Sequence, residues 1–197
     1  MVAWDGQIMY PFRTELNRAF YEHWQSLRTG ADLPYLKDFL SKPQPLLQPH
    51  VVIKDILPER GVIVRLHGTR LVELAGEDLT GQDLLDYSDT PEMADDLWFF
   101  QRGIVDHRVG LSVLKQTVTA SGRNVRFEEA SLPTAPFPGG PPCAIACVVL
   151  MEEVGTNDTV SHMLTYSDPA WIDVGWGIPA FHPLRTKPID LQRAAGA

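Results

Sequence analysis

The feature that most constrains the fold is an unbroken apolar run at residues 144–151, AIACVVLM. The run is far shorter than the roughly 20 residues that a helix needs to cross a bilayer. As a strand it would carry apolar side chains on both faces, because successive side chains of a strand point to opposite sides. The run therefore predicts a central strand of a sheet that is covered on both faces.

The N-terminal segment predicts an amphipathic helix at residues 10–29, which Gly30 ends. Large apolar side chains recur there at spacings of three and four, as expected for one face of a helix. This apolar stripe consists of Phe12, Leu16, Phe20, Trp24 and Leu27. A proline-rich connector follows and extends to residue 49.

The middle of the chain predicts a block of helices between two groups of strands. Ser88, Asp89 and Thr90 precede Pro91, which is typical of a helix start, and that helix extends to residue 107. A shorter helix is expected at residues 70–75, capped by Thr69 and ended by Gly76. Strands are predicted at residues 50–56, 62–67, 109–119, 123–132 and 142–152. This order indicates an α+β fold with an antiparallel sheet.

Composition excludes several functional classes. Acidic residues outnumber basic ones by 25 to 17, which gives a net charge of −8. A general nucleic-acid binder usually carries the opposite balance, so nucleic acid is not expected as a partner. The N-terminus has no basic residue followed by an apolar segment, so we expect no secretory signal, no membrane association and a cytoplasmic location.

The cysteines and histidines do not predict a disulfide or a metal site. Cys143 and Cys147 lie four residues apart in one predicted strand, so about 13 Å separates them. A disulfide requires less than about 7 Å between the Cα atoms, so we expect both to be buried apolar side chains. The six histidines show no close metal-ligand spacing, and no metal is expected.

Residues 61–81, GVIVRLHGTRLVELAGEDLTG, resemble a family of mostly stand-alone bacterial PAS proteins. The family pattern is an arginine-containing strand, a Gly-Thr pair, a short helix and then Gly-x-Asp-Leu-Thr-Gly. His67 departs from it, because an apolar residue is expected there. The matching residues are Arg65, Gly68, Thr69, Gly76, Asp78, Leu79, Thr80 and Gly81.

The resemblance implies a PAS-like five-stranded antiparallel sheet in the order 2-1-5-4-3, with short helices on one face. It divides the chain into an N-terminal helix and connector at residues 1–49, a PAS core at 50–152 and an irregular C-terminal extension at 153–197. We expect that extension to dock on the core, because it contains several aromatic residues, such as Trp171 and Phe181, whose exposure to solvent would be unfavourable. Flanking helices commonly pair in PAS proteins, so the apolar stripe predicts a homodimer. The alternative is that the helix packs on its own sheet.

We expect a ligand pocket between the sheet and the helix at residues 91–107. Trp98 and Ile104 would approach from the helix, and Phe127 and the small Cys147 from the strands. Arg65 and His67 would supply polar contacts at one end. For Arg65 the alternative is a structural role in fixing the Gly-Thr turn, and for Trp98 it is ordinary core packing.

The sequence does not identify a cofactor. A PAS pocket can hold haem on one axial histidine, and His67 and His107 lie nearest to the predicted helices. A flavin photosensor would need its reactive cysteine in the helical segment, whereas both cysteines lie in the last predicted strand.

The sequence and the resemblance together predict a non-catalytic sensory or regulatory protein. It would bind a small, largely apolar ligand and signal through contacts with another protein. One alternative is a ligand-free PAS adaptor with a packed core. A second is a small-molecule enzyme in a cone-shaped α+β fold, which would need a buried acid–base pair in its cavity.

Overall fold

The computed structural model describes residues 12–155, 158–160 and 165–180. Four helices and six strands are present among these residues, together with short 3-10 turns at Gln48–His50 and Leu84–Tyr87. The helices are α1 (Glu15–Ser26), α2 (Leu36–Ser41), α3 (Thr69–Ala75) and α4 (Pro91–His107). The strands are β1 (Val51–Leu57), β2 (Gly61–His67), β3 (Gly110–Val118), β4 (Asn124–Thr134), β5 (Cys143–Leu150) and β6 (Thr165–Ile172).

The strands form one antiparallel sheet in the order β2-β1-β5-β4-β3-β6. The predicted α+β class and the order 2-1-5-4-3 are confirmed. The expectation of an irregular tail is wrong for residues 165–172, because they pair with β3 as a sixth strand. Trp171 is only 9% exposed and packs in the core, whereas Phe181 lies outside the described residues.

Strand β5 lies inside the sheet and is covered on both faces, as its apolar run predicts. Cys143, Ile145 and Cys147 belong to the core cluster that contains α1. Ala144 and Ala146 belong to the two clusters on the opposite face. Both cysteines are free and buried, in agreement with the prediction from their spacing.

Helix α1 packs on its own sheet through the apolar stripe. Phe20 and Trp24 are both 0% exposed, and the indole Nε1 of Trp24 donates a hydrogen bond of 2.9 Å to the carbonyl of Pro133. The stripe is therefore covered within the chain, which was the alternative to dimerisation. The prediction of a homodimer through this stripe is therefore wrong. Helix α1 instead covers the face of the sheet opposite to α3 and α4.

Glu128 of β4 holds the start of α1. Its carboxylate accepts hydrogen bonds from the backbone N–H groups of Arg13 and Thr14, at 2.6 and 2.8 Å. It also accepts bonds from the Thr14 hydroxyl and from the Asn17 amide nitrogen. A carboxylate at a helix N-terminus satisfies backbone donors that have no partner within the helix. This explains how a glutamate that is 1% exposed is tolerated under the helix.

A β-bulge in β2 changes which face its last residues occupy. Lys54 pairs with Val64, but the next residue back along β1, Ile53, pairs with Leu66, so Arg65 is an extra residue. The extra residue shifts the alternation of side chains by one position. As a result Val64 and His67 lie on one face, whereas an uninterrupted strand would place them on opposite faces.

Helix α3 begins one residue earlier than predicted. Gly68 is the N-cap and Thr69 is the first helical residue, so the expected capping bond from the Thr69 side chain is absent. A Cβ atom on Gly68 would lie 2.4 Å from the carbonyl oxygen of Pro49, so only glycine fits there. Gly76 ends the helix with φ +77°, in agreement with the prediction of a glycine C-cap.

Helix α4 has the predicted bounds, and Thr90 caps it by accepting a hydrogen bond from the Met93 backbone N–H. Together α3, the turn at Leu84–Tyr87 and α4 cover the face of the sheet opposite to α1. Among the helices that the structure describes, none combines the length and the apolar character needed to cross a bilayer.

Candidate functional site

A cavity of about 160 Å³ lies between the sheet and the helices α3 and α4. Aliphatic and aromatic side chains form most of its wall. From the sheet side these include Val52, Val64, Phe127 and Val148, and from the helix side Leu71, Leu74 and Leu97. This composition is typical of small-molecule sites, which are mostly apolar and have a few polar groups.

Three charged side chains from three different strands also line the cavity: Lys54 of β1, Lys115 of β3 and Glu129 of β4. The Lys54 Nζ donates to Glu129 Oε1 at 2.7 Å and to the Ser131 hydroxyl at 3.0 Å. The Lys115 ammonium bonds to Glu129 Oε2. Glu129 is therefore shared by two lysines, and all three groups form one buried ionic cluster.

The two ammonium groups determine the protonation of Glu129. Burial alone would raise the pKa of this carboxyl, but Lys115 and Lys54 outweigh that effect and hold the pKa far below its usual range. Burial also lowers the pKa of Lys54, and the attraction of Glu129 does not restore it. The pKa of Lys115 is raised, because the charge of Glu129 and the phenol of Tyr166 outweigh burial. Of the two lysines, Lys54 is therefore the one whose charge is less well stabilised.

The side chain of Gln101 is the second polar feature of the wall. Helix α4 places it against the cavity, where it is 1% exposed. Neither its Oε1 nor its Nε2 has a hydrogen-bond partner among the residues that the structure describes. A buried amide without partners is costly, so Gln101 is an unusual feature of this wall.

His67 lies on the wall at the β2 side of the cavity. Its Nδ1 accepts a hydrogen bond of 3.2 Å from the Leu79 backbone N–H, while the Asp78 carboxylate is 3.9 Å away. Since Nδ1 is an acceptor in the shorter contact, the ring is neutral and carries its hydrogen on Nε2. His67 thus ties β2 to the loop after α3 and adds no charge to the cavity.

A family model described as "PAS domain" matches residues 12–148, well over half of the chain. The chain belongs to the PAS domain family. No curated protein gives a significant match to it.

Solved structures of a PAS domain, of LOV proteins and of a LuxR-type receptor are similar to this PAS domain at low sequence identity. The PAS domain of Bordetella pertussis BvgS is 16% identical, with a TM-score of 0.41 over 59% of this chain and 88% of that one. A Rhodobacter sphaeroides LOV protein is 16% identical, with a TM-score of 0.40 over 55% of this chain and 62% of that one. Vibrio cholerae VqmA is 16% identical, with a TM-score of 0.39 over 56% and 52%. The match thus spans less than two thirds of the Rhodobacter and Vibrio chains.

The structure brings two of the six residues expected at the ligand site to the cavity of this PAS domain, namely His67 and Phe127. Arg65 is the bulged residue of β2, and its guanidinium forms two bonds to the Asp55 carboxylate, at 2.9 and 2.7 Å. It does not line the cavity, and its contacts are those of the structural alternative, although the partner is a neighbouring strand rather than the Gly-Thr turn.

The other three expected residues also lie away from the cavity wall. Trp98 is on the side of α4 where its ring contacts the Arg102 guanidinium, 5.6 Å from the ring centre. Ile104 is 0% exposed and packs in the core beyond the cavity. Cys147 faces α1, because the alternation of β5 directs Ala146 and Val148 toward the cavity instead.

Sequence reasoning missed Lys54, Lys115, Glu129 and Gln101. A signal for the first three was present, since each is a charged residue inside a predicted strand that is otherwise rich in apolar residues. Charged side chains are almost never fully buried unless they are paired. Gln101 lies on the stripe of α4, three residues before Ile104 and four after Leu97, where an apolar side chain is expected.

The wall of this PAS domain does not fit the haem or the flavin alternative. His107 is an exposed residue near the end of α4. The Nδ1 of His67 accepts a hydrogen bond from the Leu79 backbone N–H, which places the ring hydrogen on Nε2, the nitrogen that would bind the iron. A cavity of about 160 Å³ is also much smaller than a porphyrin. Neither cysteine lines it, and burial raises the pKa of both thiols. In the part of the chain that the structure describes, no three His, Cys, Asp or Glu side chains converge on a metal position.

Proposed function

We propose that this chain is a sensory PAS protein that binds a small, largely apolar ligand in the cavity and signals through contacts with another protein. The observation that carries the proposal is the amide of Gln101, which has no hydrogen-bond partner in the described part of the chain and belongs to a residue on the wall of an apolar cavity. Buried polar groups in native proteins are nearly always hydrogen-bonded. A ligand that fills the cavity and bonds to this amide accounts for both features.

The size of the cavity sets the size of the ligand. Its volume of about 160 Å³ is close to that of an engineered apolar cavity of about 150 Å³ that binds benzene. The ligand that we propose therefore has a body about as large as one six-membered ring. Larger ligands would have to displace the helices α3 or α4.

The ligand-free adaptor accounts less well for these features. A core that has only to hold the fold gains stability from close packing, and a cavity lowers it. In this PAS domain the cavity coincides with the ionic cluster and with Gln101, so several unfavourable features lie in one place. Such concentration is typical of a functional site.

The enzyme alternative requires a free acid or base in the cavity. Glu129 is the only carboxylate that lines it among the described residues, and both of its oxygens already accept bonds from lysine. His67 also lines the cavity, but its Nδ1 is already engaged by the Leu79 backbone N–H. The cluster is thus better suited to recognising a ligand than to moving a proton.

Native mass spectrometry of freshly purified protein, followed by a thermal-shift screen of ring-sized compounds, tests the proposal. We expect either a retained small molecule or compounds that raise the melting temperature. Val148→Phe, which fills the cavity from β5, should abolish the shift. The matched control is Val118→Phe on β3, at a residue that is 41% exposed. A protein that retains no compound and responds to none would favour the adaptor.

The homodimer remains a proposal, but it must use a surface other than the apolar stripe of α1. Sedimentation at several concentrations measures the oligomeric state. Phe20→Glu should unfold or destabilise the monomer rather than dissociate a dimer, since Phe20 is fully buried within one chain. A stable, folded Phe20→Glu monomer would contradict the packing of α1 described above.

A further inference from the structure

The charges that line the cavity do not balance. Lys54 and Lys115 contribute two ammonium groups, and Glu129 contributes one carboxylate. Within residues 12–155, 158–160 and 165–180, no second carboxylate lines the cavity, and His67 is neutral because its Nδ1 accepts a hydrogen bond. With both lysines protonated, the wall therefore carries an excess of one positive charge. An uncompensated charge is expensive in an environment with little water.

The hydrogen bonds of the cluster leave donors available. Glu129 accepts from Lys54 and Ser131 on Oε1 and from Lys115 on Oε2, so both of its oxygens are engaged. Lys54 uses two of its three N–H groups, one for Glu129 and one for Ser131. Lys115 has one described hydrogen-bonded partner, Glu129. Gln101 lines the cavity from α4, and its amide has two N–H groups without a hydrogen-bond partner among the described residues.

We propose that the ligand is a small carboxylate whose negative charge completes this cluster, so that two lysines face two carboxylates. The inference rests on the proposed function, since it assigns the chemistry of the ligand in the same cavity. The apolar part of the wall holds the ring-sized body of the acid, and the lysines and Gln101 donate to its carboxylate. Hydrogen bonds to an ionised acceptor are stronger than those between neutral groups. Burial lowers the pKa of Lys54 despite its bond to Glu129, which agrees with this arrangement.

Matched pairs of an acid and its amide test the charge separately from the shape. We would measure the binding of benzoate and benzamide, phenylacetate and phenylacetamide, and isovalerate and isovaleramide by calorimetry at pH 7. Each amide has nearly the shape of its acid but carries no charge. We expect at least one acid to bind, and to bind at least tenfold more tightly than its amide.

Lysine variants then locate the selectivity. Lys54→Met and Lys115→Met each leave one lysine paired with Glu129, so both proteins should fold. In each variant the preference for the acid over the amide should fall to less than threefold. Lys37→Met, at an exposed residue of α2, is the matched control and should keep the full preference. A merely structural role of the lysines would weaken the acid and the amide alike and leave their ratio unchanged.

The outcomes separate this inference from the proposed function. If amides bind as tightly as acids, or if the lysine variants keep the preference for the acid, the inference of a carboxylate ligand is wrong, whereas the proposal of ligand binding is supported. If neutral compounds bind and no acid does, the inference of a carboxylate ligand is also wrong. If neither these pairs nor any other compound binds, the proposed function fails and this inference fails with it.

Discussion

Replacing Gln101 by methionine should stabilise the ligand-free protein. Methionine has nearly the length and flexibility of glutamine and a similar helix propensity, so α4 should be unaffected. The substitution removes an amide that is 1% exposed and has no described partner on either polar atom. It adds an apolar group to a wall that is already mostly apolar.

The magnitude follows from the cost of the unpaired amide. A buried donor or acceptor without a partner costs about 1–3 kcal/mol, and the variant no longer carries that cost. One kcal/mol corresponds to about 2–4 °C in melting temperature for a chain of this size, so we expect a rise of about 2–12 °C. The same substitution removes donors to the ligand and should weaken the binding of a carboxylate by about tenfold or more.

Thermal and urea unfolding of the ligand-free protein measure the first effect, and calorimetry measures the second. Gln116→Leu, at an exposed residue of β3, is the control and should change stability by less than about 0.5 kcal/mol. If Gln101→Met lowers stability, the amide has partners in the ligand-free protein, for example ordered water, and it no longer indicates a ligand. If Gln101→Met raises stability but leaves ligand binding unchanged, Gln101 does not contact the ligand, and the proposal of a ligand in the cavity is unaffected.

Three further predictions concern the cluster and α3. Glu129→Gln leaves the buried Lys54 and the partly buried Lys115 without a carboxylate and should cost about 3–5 kcal/mol in unfolding experiments. Lys115→Met leaves a neutral pair and should cost less than about 1 kcal/mol. The pKa of Glu129 in the folded protein lies below its ordinary value of 4.5, so its ionised form stabilises the fold fully above that pH and less as the pH falls below it. The difference in unfolding free energy between wild type and Glu129→Gln should therefore narrow below pH 4.5 and stay constant above it. Gly76→Val forces a β-branched residue to φ +77° and should lower the unfolding free energy by at least about 1 kcal/mol. Thr69→Ala loses no described capping bond and should be nearly neutral. Equal melting temperatures for the two variants would contradict the positions of the helix ends.

The parts of the fold that follow from periodicity and from turn residues could be predicted from the sequence. Pro91 after Thr90 fixes the start of α4, and the apolar run of β5 indicates a strand covered on both faces. The sixth strand was missed because Pro169 and Asp168 interrupt its pattern. In the structure its register with β3 shifts at that point, and Asp168 has φ +48°. Proline is compatible with an edge strand and a bulge, which is where β6 has it.

The faces of the strands were harder to predict than the strands themselves. The bulge at Arg65 moves His67 to the cavity and leaves Arg65 away from it, although the two residues have the spacing of one face. In β5 both faces are apolar, so alternation could not show whether Cys147 or Ala146 faces the helices. A shift of one residue reverses every assignment in a strand, and the sequence offers no local signal for this bulge.

Glu128 and Glu129 show how charged residues inside strands distinguish structure from function. They are neighbours in β4, both are nearly fully buried, and alternation sends them to opposite faces. Glu128 accepts backbone and side-chain donors from the start of α1, so its charge is satisfied by groups that the fold itself requires. Glu129 accepts bonds from two lysines and from the Ser131 hydroxyl, and the two lysines carry one charge more than Glu129 does. The Gln101 amide on the same cavity wall has no hydrogen-bond partner among the described residues. The first glutamate completes a helix that belongs to the fold, whereas the second belongs to a cluster whose charges do not balance among the described residues that line the cavity. That difference in hydrogen bonds and charge, rather than burial, is the reason why we propose the cavity as the ligand site.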